Sequence, residues 1–197
     1  MSRFILGVTG NIATGKSTVV KLLVEKGAHH IDSDVVYHEL IAPGEPLLAT
    51  LVDHFGEGIL ADDGSLDRKA LGGIVFSDPA KLKELDALTH PAVVAEADRR
   101  AFAIEDGVVI LDAVKLIESG HYKVCDAVWL VTAPEDMQVS RLMSRNSLDE
   151  AEARKRVSAQ PPLGPKRDVA DREIVNDGTL EELRNQVDAA WATLPLM

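Results

Sequence analysis

The sequence predicts an α/β fold built on a doubly wound, parallel, five-stranded sheet, and two observations lead to that prediction. The first is that apolar runs bounded by turn residues alternate with helical patterns along the chain. These runs lie at Phe4 to Val8, around Ile31, at Val108 to Leu111, at Ala127 to Thr132 and at Glu173 to Val175. The second is that several runs are continuously apolar, as strands covered on both faces must be. Strands that alternate with helices favour parallel pairing, with helices on both faces of the sheet.

Composition limits both the size of this fold and its partners. The chain has 197 residues, 46% of them hydrophobic, enough for one substantial core and too few for two full domains. Its 21 basic and 32 acidic side chains give a formal net charge of −11, so its overall field repels nucleic acid and anionic membranes. No apolar run approaches membrane-spanning length. We therefore expect a cytoplasmic protein with no nucleic-acid or membrane partner.

The first apolar run leads directly into residues 10–17, which spell G-x-x-x-x-G-K-S, and a helical pattern follows from Thr18 to Lys26. Strand, glycine-rich loop and helix in this order predict a phosphate cradle, because the loop and the helix N-terminus direct several backbone N–H groups at one anion. The lysine then reaches the β- and γ-phosphates, and the serine hydroxyl ligates Mg²⁺. The alternative is a chance match in a glycine-rich turn. The predicted nucleotide-binding residues of this segment are Asn11, Ala13, Thr14, Gly15, Lys16, Ser17 and Thr18.

Local signals mark the helices between the strands. Asp78 followed by Pro79 begins a long helix that reaches about Glu105, and Pro134 begins another. Thr179 and Glu182 form a capping box before the last helix. Further helices are predicted at Val35 to Leu40, Pro46 to His54 and Arg68 to Phe76.

The interval between the second and third predicted strands is much longer than one crossover helix requires. We therefore expect an inserted helical lobe that grips a second substrate, the alternative being an insertion that only adds packing. On this reading the chain is a single domain whose core spans about residues 1–34, 107–134 and 168–197. The helical substrate lobe spans about residues 35–106, and a helical lid spans about residues 135–167.

Acidic residues follow the second and third predicted strands. Asp32 and Asp34 come after the second strand, where a carboxylate can accept the proton of an attacking hydroxyl. Asp34 is the candidate, and the alternative is a helix N-cap supplied by Ser33 or Asp34. Asp112 ends the third strand, where a carboxylate holds Mg²⁺ directly or through water. Any buried strand that ends in aspartate looks similar, so the position of Asp112 alone does not establish that it binds a metal.

Arginines concentrate after the fourth predicted strand. Arg141 and Arg145 share one face of the helix expected there, so both can point at transferred phosphates. Arg154 and Arg156 follow on the next helical segment, and the group as a whole suggests a mobile cover that neutralises charge and excludes water. The alternative is a solvated face whose arginines pair with nearby carboxylates, those of Glu135, Asp149, Glu150 and Glu152.

Taken together, these motifs resemble the dephospho-CoA kinase family of P-loop kinases, from about Phe4 to Val187. In chain order, the matching segments are the cradle, Ile31-Asp32-Ser33-Asp34, His54-Phe55-Gly56, Asp63-Gly64-Ser65-Leu66-Asp67-Arg68, Val75-Phe76, Thr89-His90-Pro91, Arg141-x-x-x-Arg145, Arg156-x-x-x-Gln160 and Ala170-Asp171-x-x-Ile174-x-Asn176. The resemblance implies a P-loop NTPase-type fold. It also implies an ATP-dependent kinase that phosphorylates the ribose 3′-hydroxyl of dephospho-CoA, giving coenzyme A and ADP.

The resemblance further implies roles for individual residues. The catalytic residues would be Asp34 as the base, Lys16 and Arg141, and Arg145 would join the nucleotide-binding residues. The coenzyme side of the site would include Asp32, Arg68 and His90. Ser17 and Asp112 would be the metal ligands, with ATP and Mg²⁺ as the cofactors. Dephospho-CoA would be the small-molecule partner of a monomer or weak homo-oligomer.

This chain departs from the family pattern at two places. Lys115 lies in a segment after the third strand where the family usually has Pro-Leu-Leu before a glutamate, and this affects the expected shape of the coenzyme cleft. Asn11 replaces a common glycine of the cradle, which requires backbone angles that a side chain tolerates.

Two rival functions share the cradle. One is another small-molecule P-loop kinase, acting on nucleosides or nucleotides. The other is a GTPase-type switch, since Asp53 to Gly56 spells D-x-x-G. No Asn-Lys-x-Asp segment follows to bind guanine, so the switch is disfavoured.

Overall fold

The computed structural model describes residues 2–195. Within this range the chain divides into two compact units. The first contains residues 2–30 and 104–195, and the second contains residues 31–103, inserted between them in chain order. Among the described residues, no helix is both long enough and apolar enough to cross a membrane.

A parallel five-stranded sheet forms the centre of the first unit, as predicted. Its strands are β1 (Phe4–Thr9), β2 (His29–Asp32), β3 (Val108–Asp112), β4 (Ala127–Thr132) and β5 (Arg172–Val175), and they lie in the order β2-β3-β1-β4-β5. The central strand β1 pairs Val8 with Asp112 of β3 and Thr9 with Leu130 of β4. The strand order changes direction beside β1, and sheets of this class bind ligands at the carboxyl ends of the strands at such a point.

The helices of both units follow the predicted pattern closely. In chain order they are α1 (Lys16–Glu25), α2 (Ser33–Leu40), α3 (Pro46–Phe55), α4 (Arg68–Val75), α5 (Pro79–Ala103), α6 (Glu135–Asn146), α7 (Glu150–Ser158), α8 (Gly164–Arg167) and α9 (Leu180–Trp191). Short 3₁₀ helices lie at Glu57–Ile59 and His121–Val124. The predicted capping box is confirmed, because the Thr179 side chain accepts from the Glu182 N–H while the Glu182 carboxylate accepts from the Thr179 N–H.

The core of the first unit explains why its strands are apolar on both faces. Leu6, Val19, Trp129 and Val187 are buried in one cluster that joins the sheet to α1 and α9. A smaller cluster joins α6 and α7 to the loop after β1 through its partly buried apolar residues. Burial of continuous apolar runs on both faces is the main source of stability in such a sheet.

The second unit is helical and has a core of its own. α5 packs against α2, α3 and α4, and residues such as Leu51, Ile59 and Leu71 are buried between the helices. The predicted long helix from Pro79 to about Glu105 is confirmed, because α5 is continuous from Pro79 to Ala103 with Pro91 inside it. Buried positions on both sides of the proline, among them Thr89 and Val93, hold the helix together by packing.

Candidate active site

The glycine-rich loop lies between the end of β1 and the start of α1. A Cβ on Gly10 would lie 2.5 Å from the Val131 carbonyl oxygen and 2.9 Å from the Thr14 hydroxyl oxygen. Gly15 has a φ of +92°, and a Cβ there would overlap the side-chain amide of Asn176. Only glycine fits at both positions, because the neighbouring atoms occupy the space of a side chain.

The same loop presents backbone N–H groups of the kind that bind an anion. Ala13 and Gly15 have positive φ angles of 59° and 92°, and left-handed residues of this kind turn successive N–H groups toward a common point. In the described chain, the backbone N–H groups of residues 13–17 donate to no protein acceptor. The Thr14 hydroxyl donates to the Asn11 carbonyl at 3.0 Å and closes the loop. Several unpaired N–H groups at a helix N-terminus are suited to a polyanion.

Lys16 and Asp112, the residues predicted for phosphate and for Mg²⁺, contact each other directly. Lys16 Nζ forms an ion pair with Asp112 Oδ1, and Asp112 Oδ2 lies 3.3 Å from His30 Nε2. Asp112 is 4% exposed, so its carboxylate needs such partners. Ser17 adds a hydroxyl at the first turn of α1, and oxygen ligands of this kind are those Mg²⁺ prefers. The side chains of Ser17 and Asp112 thus have the chemistry that suits a magnesium ion.

His30 is a contact that the sequence analysis missed. The signal was its position in β2, two residues before Asp32. Because neighbouring parallel strands end at the same edge of a sheet, a polar residue near the end of β2 can meet one at the end of β3.

Arg141 is hydrogen-bonded to the backbone of the phosphate loop. It donates to the carbonyl oxygens of Ala13 and Thr14, both at 3.3 Å, and to that of Asn176 at 3.1 Å. Asn176 is 7% exposed and donates from its side chain to the Thr14 carbonyl at 2.9 Å. The resemblance included Asn176 without a role for it, and the structure shows that it braces the loop. Arg141 and Asn176 thus bond carbonyl oxygens of the loop. Because those oxygens already have partners, the N–H groups of the loop remain available to a ligand.

The other arginines of the predicted cover differ from Arg141. Arg145 is exposed and bonds the neighbouring Asn146 side chain at 3.0 Å. Arg154 pairs with carboxylates of α6 and α7, those of Glu135, Asp136 and Glu150. Arg156 pairs with Glu152 at 3.1 Å. Arg154 and Arg156 thus form ion pairs of the kind that the alternative of a solvated face predicts.

The segment after α7 also contacts the loop. Gln160 Oε1 accepts from the Ile12 N–H at 3.2 Å, and the Asn11 side chain donates to the Pro161 carbonyl at 3.0 Å. Ala13 and Ser147 are the non-glycine residues with positive φ in the described chain, so Asn11 is not forced into that region. The backbone therefore tolerates the asparagine that replaces a common family glycine, and its side chain ties the loop to residue 161.

In the second unit, the start of α2 differs from the expectation. The sequence predicts a helix from Val35, with an N-cap supplied by Ser33 or Asp34 as the alternative to a catalytic Asp34. Instead, the helix begins at Ser33 and Asp32 is the N-cap, with its Oδ1 accepting from the N–H of Asp34 at 2.8 Å and of Val35 at 3.3 Å. Asp32, Ser33 and Asp34 are all good capping residues, and the end of β2 at Asp32 decides between them. Asp34 is exposed, and its carboxylate does not cap the helix.

The other two residues predicted for the coenzyme side lie on α4 and α5. Arg68 begins α4 and acts electrostatically on Tyr37 of α2. Burial raises the pKa of the Tyr37 phenol, and the positive charge of Arg68 opposes that rise. His90 lies on α5, with its Nε2 at 3.4 Å from an Asp86 carboxylate oxygen one turn earlier. Arg68 is therefore near the helix that carries Asp34.

Comparisons with known proteins identify the family of this chain. The family profile described as Dephospho-CoA kinase matches residues 4–182. A dephospho-CoA kinase of Symbiobacterium thermophilum is 46% identical over 190 residues, covering 95% of this chain and 80% of that protein. Among solved structures, a Thermus thermophilus protein superposes with a TM-score of 0.82 at 36% identity, covering 98% of this chain and 99% of that one.

A second solved structure, the dephospho-CoA kinase from Campylobacter jejuni, superposes with a TM-score of 0.70 at 25% identity and covers 96% of both chains. The matched region contains the phosphate loop, Asp34, Asp112 and Arg141. A family match over nearly the whole chain, together with a loop built for phosphates, leads to one conclusion: this chain belongs to the dephospho-CoA kinase family.

Proposed function

We propose that this chain transfers the γ-phosphoryl group of ATP to the ribose 3′-hydroxyl of dephospho-CoA, and that Asp34, Lys16 and Arg141 carry the reaction. ATP-dependent phosphorylation of dephospho-CoA follows from membership of the family. The proposal adds the acceptor atom and the acting residues. The ion pair between Lys16 and Asp112 beside the phosphate loop is its main support, because it joins a phosphate-binding cation to a metal-binding carboxylate.

At the nucleotide end, the loop N–H groups and Lys16 would bind the β- and γ-phosphates. Ser17 and Asp112 would hold Mg²⁺, which when bound neutralises charge on the phosphate oxygens. Lys16 exchanges part of its contact with Asp112 for phosphate oxygens as the nucleotide binds. The residues Asn11, Ala13, Thr14, Gly15 and Thr18 complete the phosphate loop, and Arg145 is assigned to the nucleotide as well.

At the acceptor end, Asp34 would take the proton from the 3′-hydroxyl. As that O–H bond breaks, the hydroxyl oxygen bonds to the γ-phosphorus and the bond to ADP breaks. The role suits Asp34, because Asp32 caps α2 and leaves the exposed Asp34 carboxylate available. Asp32, Arg68 and His90 are assigned to the coenzyme side.

Arg141 would offset the charge that develops on the transferred group. Its guanidinium is already held against the loop by the Ala13 and Thr14 carbonyls. A fixed positive charge near the reacting phosphoryl group stabilises the transition state without reorganisation during the reaction. This role differs from the surface pairing of Arg154 and Arg156.

We also propose a cytoplasmic location and a monomer or weak homo-oligomer. Both substrates of the family reaction are small molecules, and the net charge of −11 opposes self-association and anionic surfaces. Light scattering after gel filtration measures the oligomeric state.

A coupled assay for ADP release tests the function. The purified chain receives ATP, Mg²⁺ and one acceptor from a panel of dephospho-CoA, nucleosides and nucleoside monophosphates. We expect turnover with dephospho-CoA, formation of coenzyme A by mass spectrometry, and loss of turnover in Lys16→Met. Faster turnover of a nucleoside or nucleotide would overturn the acceptor assignment, and omission of Mg²⁺ with EDTA tests the metal requirement.

A further inference from the structure

Lys166 is a buried cation that none of the roles above uses. Its side chain is 2% exposed, and α8, which carries it, comprises Gly164–Arg167. A buried ammonium is costly unless oxygen atoms surround it. The first unit supplies them, since Lys166 Nζ lies 2.6 Å from the Val114 carbonyl oxygen, 3.2 Å from Glu118 Oε1 and 3.4 Å from Thr9 Oγ1.

Two of these oxygens lie at the ends of the strands that carry the nucleotide residues. Thr9 ends β1 directly before Gly10, and Val114 lies two residues after Asp112, the last residue of β3. The paired residues of β1 and β3 end at Val8 and Asp112. Beyond that point the Thr9 hydroxyl donates to the Val114 carbonyl at 3.0 Å, and Lys166 donates to the same oxygen. Together with a backbone bond from the Ala113 N–H to the Val8 carbonyl at 3.2 Å, these side chains continue the link between the two strands after the pairing stops.

The third oxygen extends the contact along the chain. Glu118 lies at the far end of residues 114–118, the segment in which this chain departs from the family pattern. Leu116 anchors the middle of the segment and is fully buried, while Val114 is 38% exposed. Lys166 therefore holds the first carbonyl and the last carboxylate of residues 114–118 with one ammonium group. Charge-assisted contacts at both ends restrict the shape that the segment adopts.

We propose that Lys166 is a positioning residue for phosphoryl transfer. It holds residues 114–118 against the end of β1 and thereby fixes Asp112 relative to the phosphate loop. The inference rests on the proposed assignment of Asp112 and the loop to the nucleotide. Without Lys166, the residues that follow β3 can shift and move Asp112 with them. Where reacting groups must align, a misplacement of about 1 Å lowers the rate about 100-fold.

The test compares Lys166→Met with Arg167→Met, a matched loss of positive charge on the same helix. Arg167 is 54% exposed and pairs with Glu173 of β5. We expect Lys166→Met to lower kcat at least about tenfold while the KM for ATP stays within about threefold, because the loop N–H groups and Lys16 remain. We expect Arg167→Met to keep both constants within about threefold. Equal kinetics for the two variants would overturn the proposal.

Hydrogen exchange gives a readout that does not depend on the reaction. In the ligand-free protein, the amides of residues 115–120 should exchange at least about tenfold faster in Lys166→Met than in Arg167→Met. Unchanged exchange there would overturn the proposal even if activity fell. An inactive parent protein with the expected exchange difference would instead count against the proposed function.

Glu118→Gln covers the case in which Lys166→Met does not fold. Glu118 is 37% exposed, so we expect the variant to fold and to lose the charge that faces Lys166. We expect faster exchange of residues 115–120 and a smaller fall in kcat in the same direction. Parental exchange and parental kcat in Glu118→Gln would contradict the proposal.

Discussion

Replacing Asp34 by asparagine tests the proposed base with little expected effect on folding. Asp34 is exposed in the first turn of α2, and the cap of that helix is Asp32. The stability cost is therefore limited to the interaction of one negative charge with the helix dipole, about 0.3–1 kcal/mol. We expect the free energy of unfolding in urea to fall by no more than that amount.

The expected effect on the reaction is much larger. A positioned general base contributes about 100- to 10,000-fold to the rate, and asparagine cannot accept the proton. Binding of ATP should stay within about threefold, because the loop N–H groups and Lys16 are unchanged. Calorimetry measures nucleotide binding, and the ADP-release assay with saturating dephospho-CoA measures kcat.

Asp62→Asn is the matched control for this experiment. Asp62 is an exposed aspartate of the same unit, outside the residues assigned to the site, and its loss should leave kcat unchanged. Parental turnover by Asp34→Asn would refute the assignment of the base. An equal loss in both variants would show that the assay responds to surface charge and not to a proton acceptor.

Three further predictions follow from other parts of the structure. Gly15→Ala should lower the free energy of unfolding by about 1–2 kcal/mol because of the left-handed backbone, and by more because of steric overlap. It should also weaken ATP binding, which calorimetry measures. Parental values for both quantities would show that the loop tolerates a side chain. Thr179→Ala should lower the free energy of unfolding in urea by about 1 kcal/mol through loss of the capping box, whereas an unchanged midpoint would contradict it. Hydrogen bonds from Arg99 and Arg100 lower the pKa of Glu96 to about 2 from its ordinary 4.5, so the ionised carboxylate stabilises the fold above pH 4.5 and that contribution is lost as the pH falls toward 2. In Glu96→Gln, the free energy of unfolding should therefore change less with pH between about 2 and 4.5. The same pH dependence in variant and parent would contradict this prediction.

The start of α2 shows where sequence reasoning reaches its limit. Asp32, Ser33 and Asp34 have nearly equal capping preferences, so the pattern alone left the choice open. The choice depends on where β2 stops, which is Asp32. The arginines after β4 show the same limit, because acidic neighbours surround them and geometry selects the partners. Arg154 and Arg156 form ion pairs with carboxylates, whereas Arg141 donates hydrogen bonds to carbonyl oxygens of the phosphate loop.

The local patterns of the chain determined the strands, the glycine-rich loop and the capping box, because apolar periodicity, turn residues and cap residues act within a few positions of one another. Only the tertiary structure decided which polar groups meet. Lys16 and Asp112 are 96 residues apart in the chain, and Lys166 and Val114 are 52 apart. Charges of opposite sign are common along this sequence, and the sequence does not indicate which of them form ion pairs. The order of the strands brings the ends of β1 and β3 together, and burial then requires each charge to find a partner there.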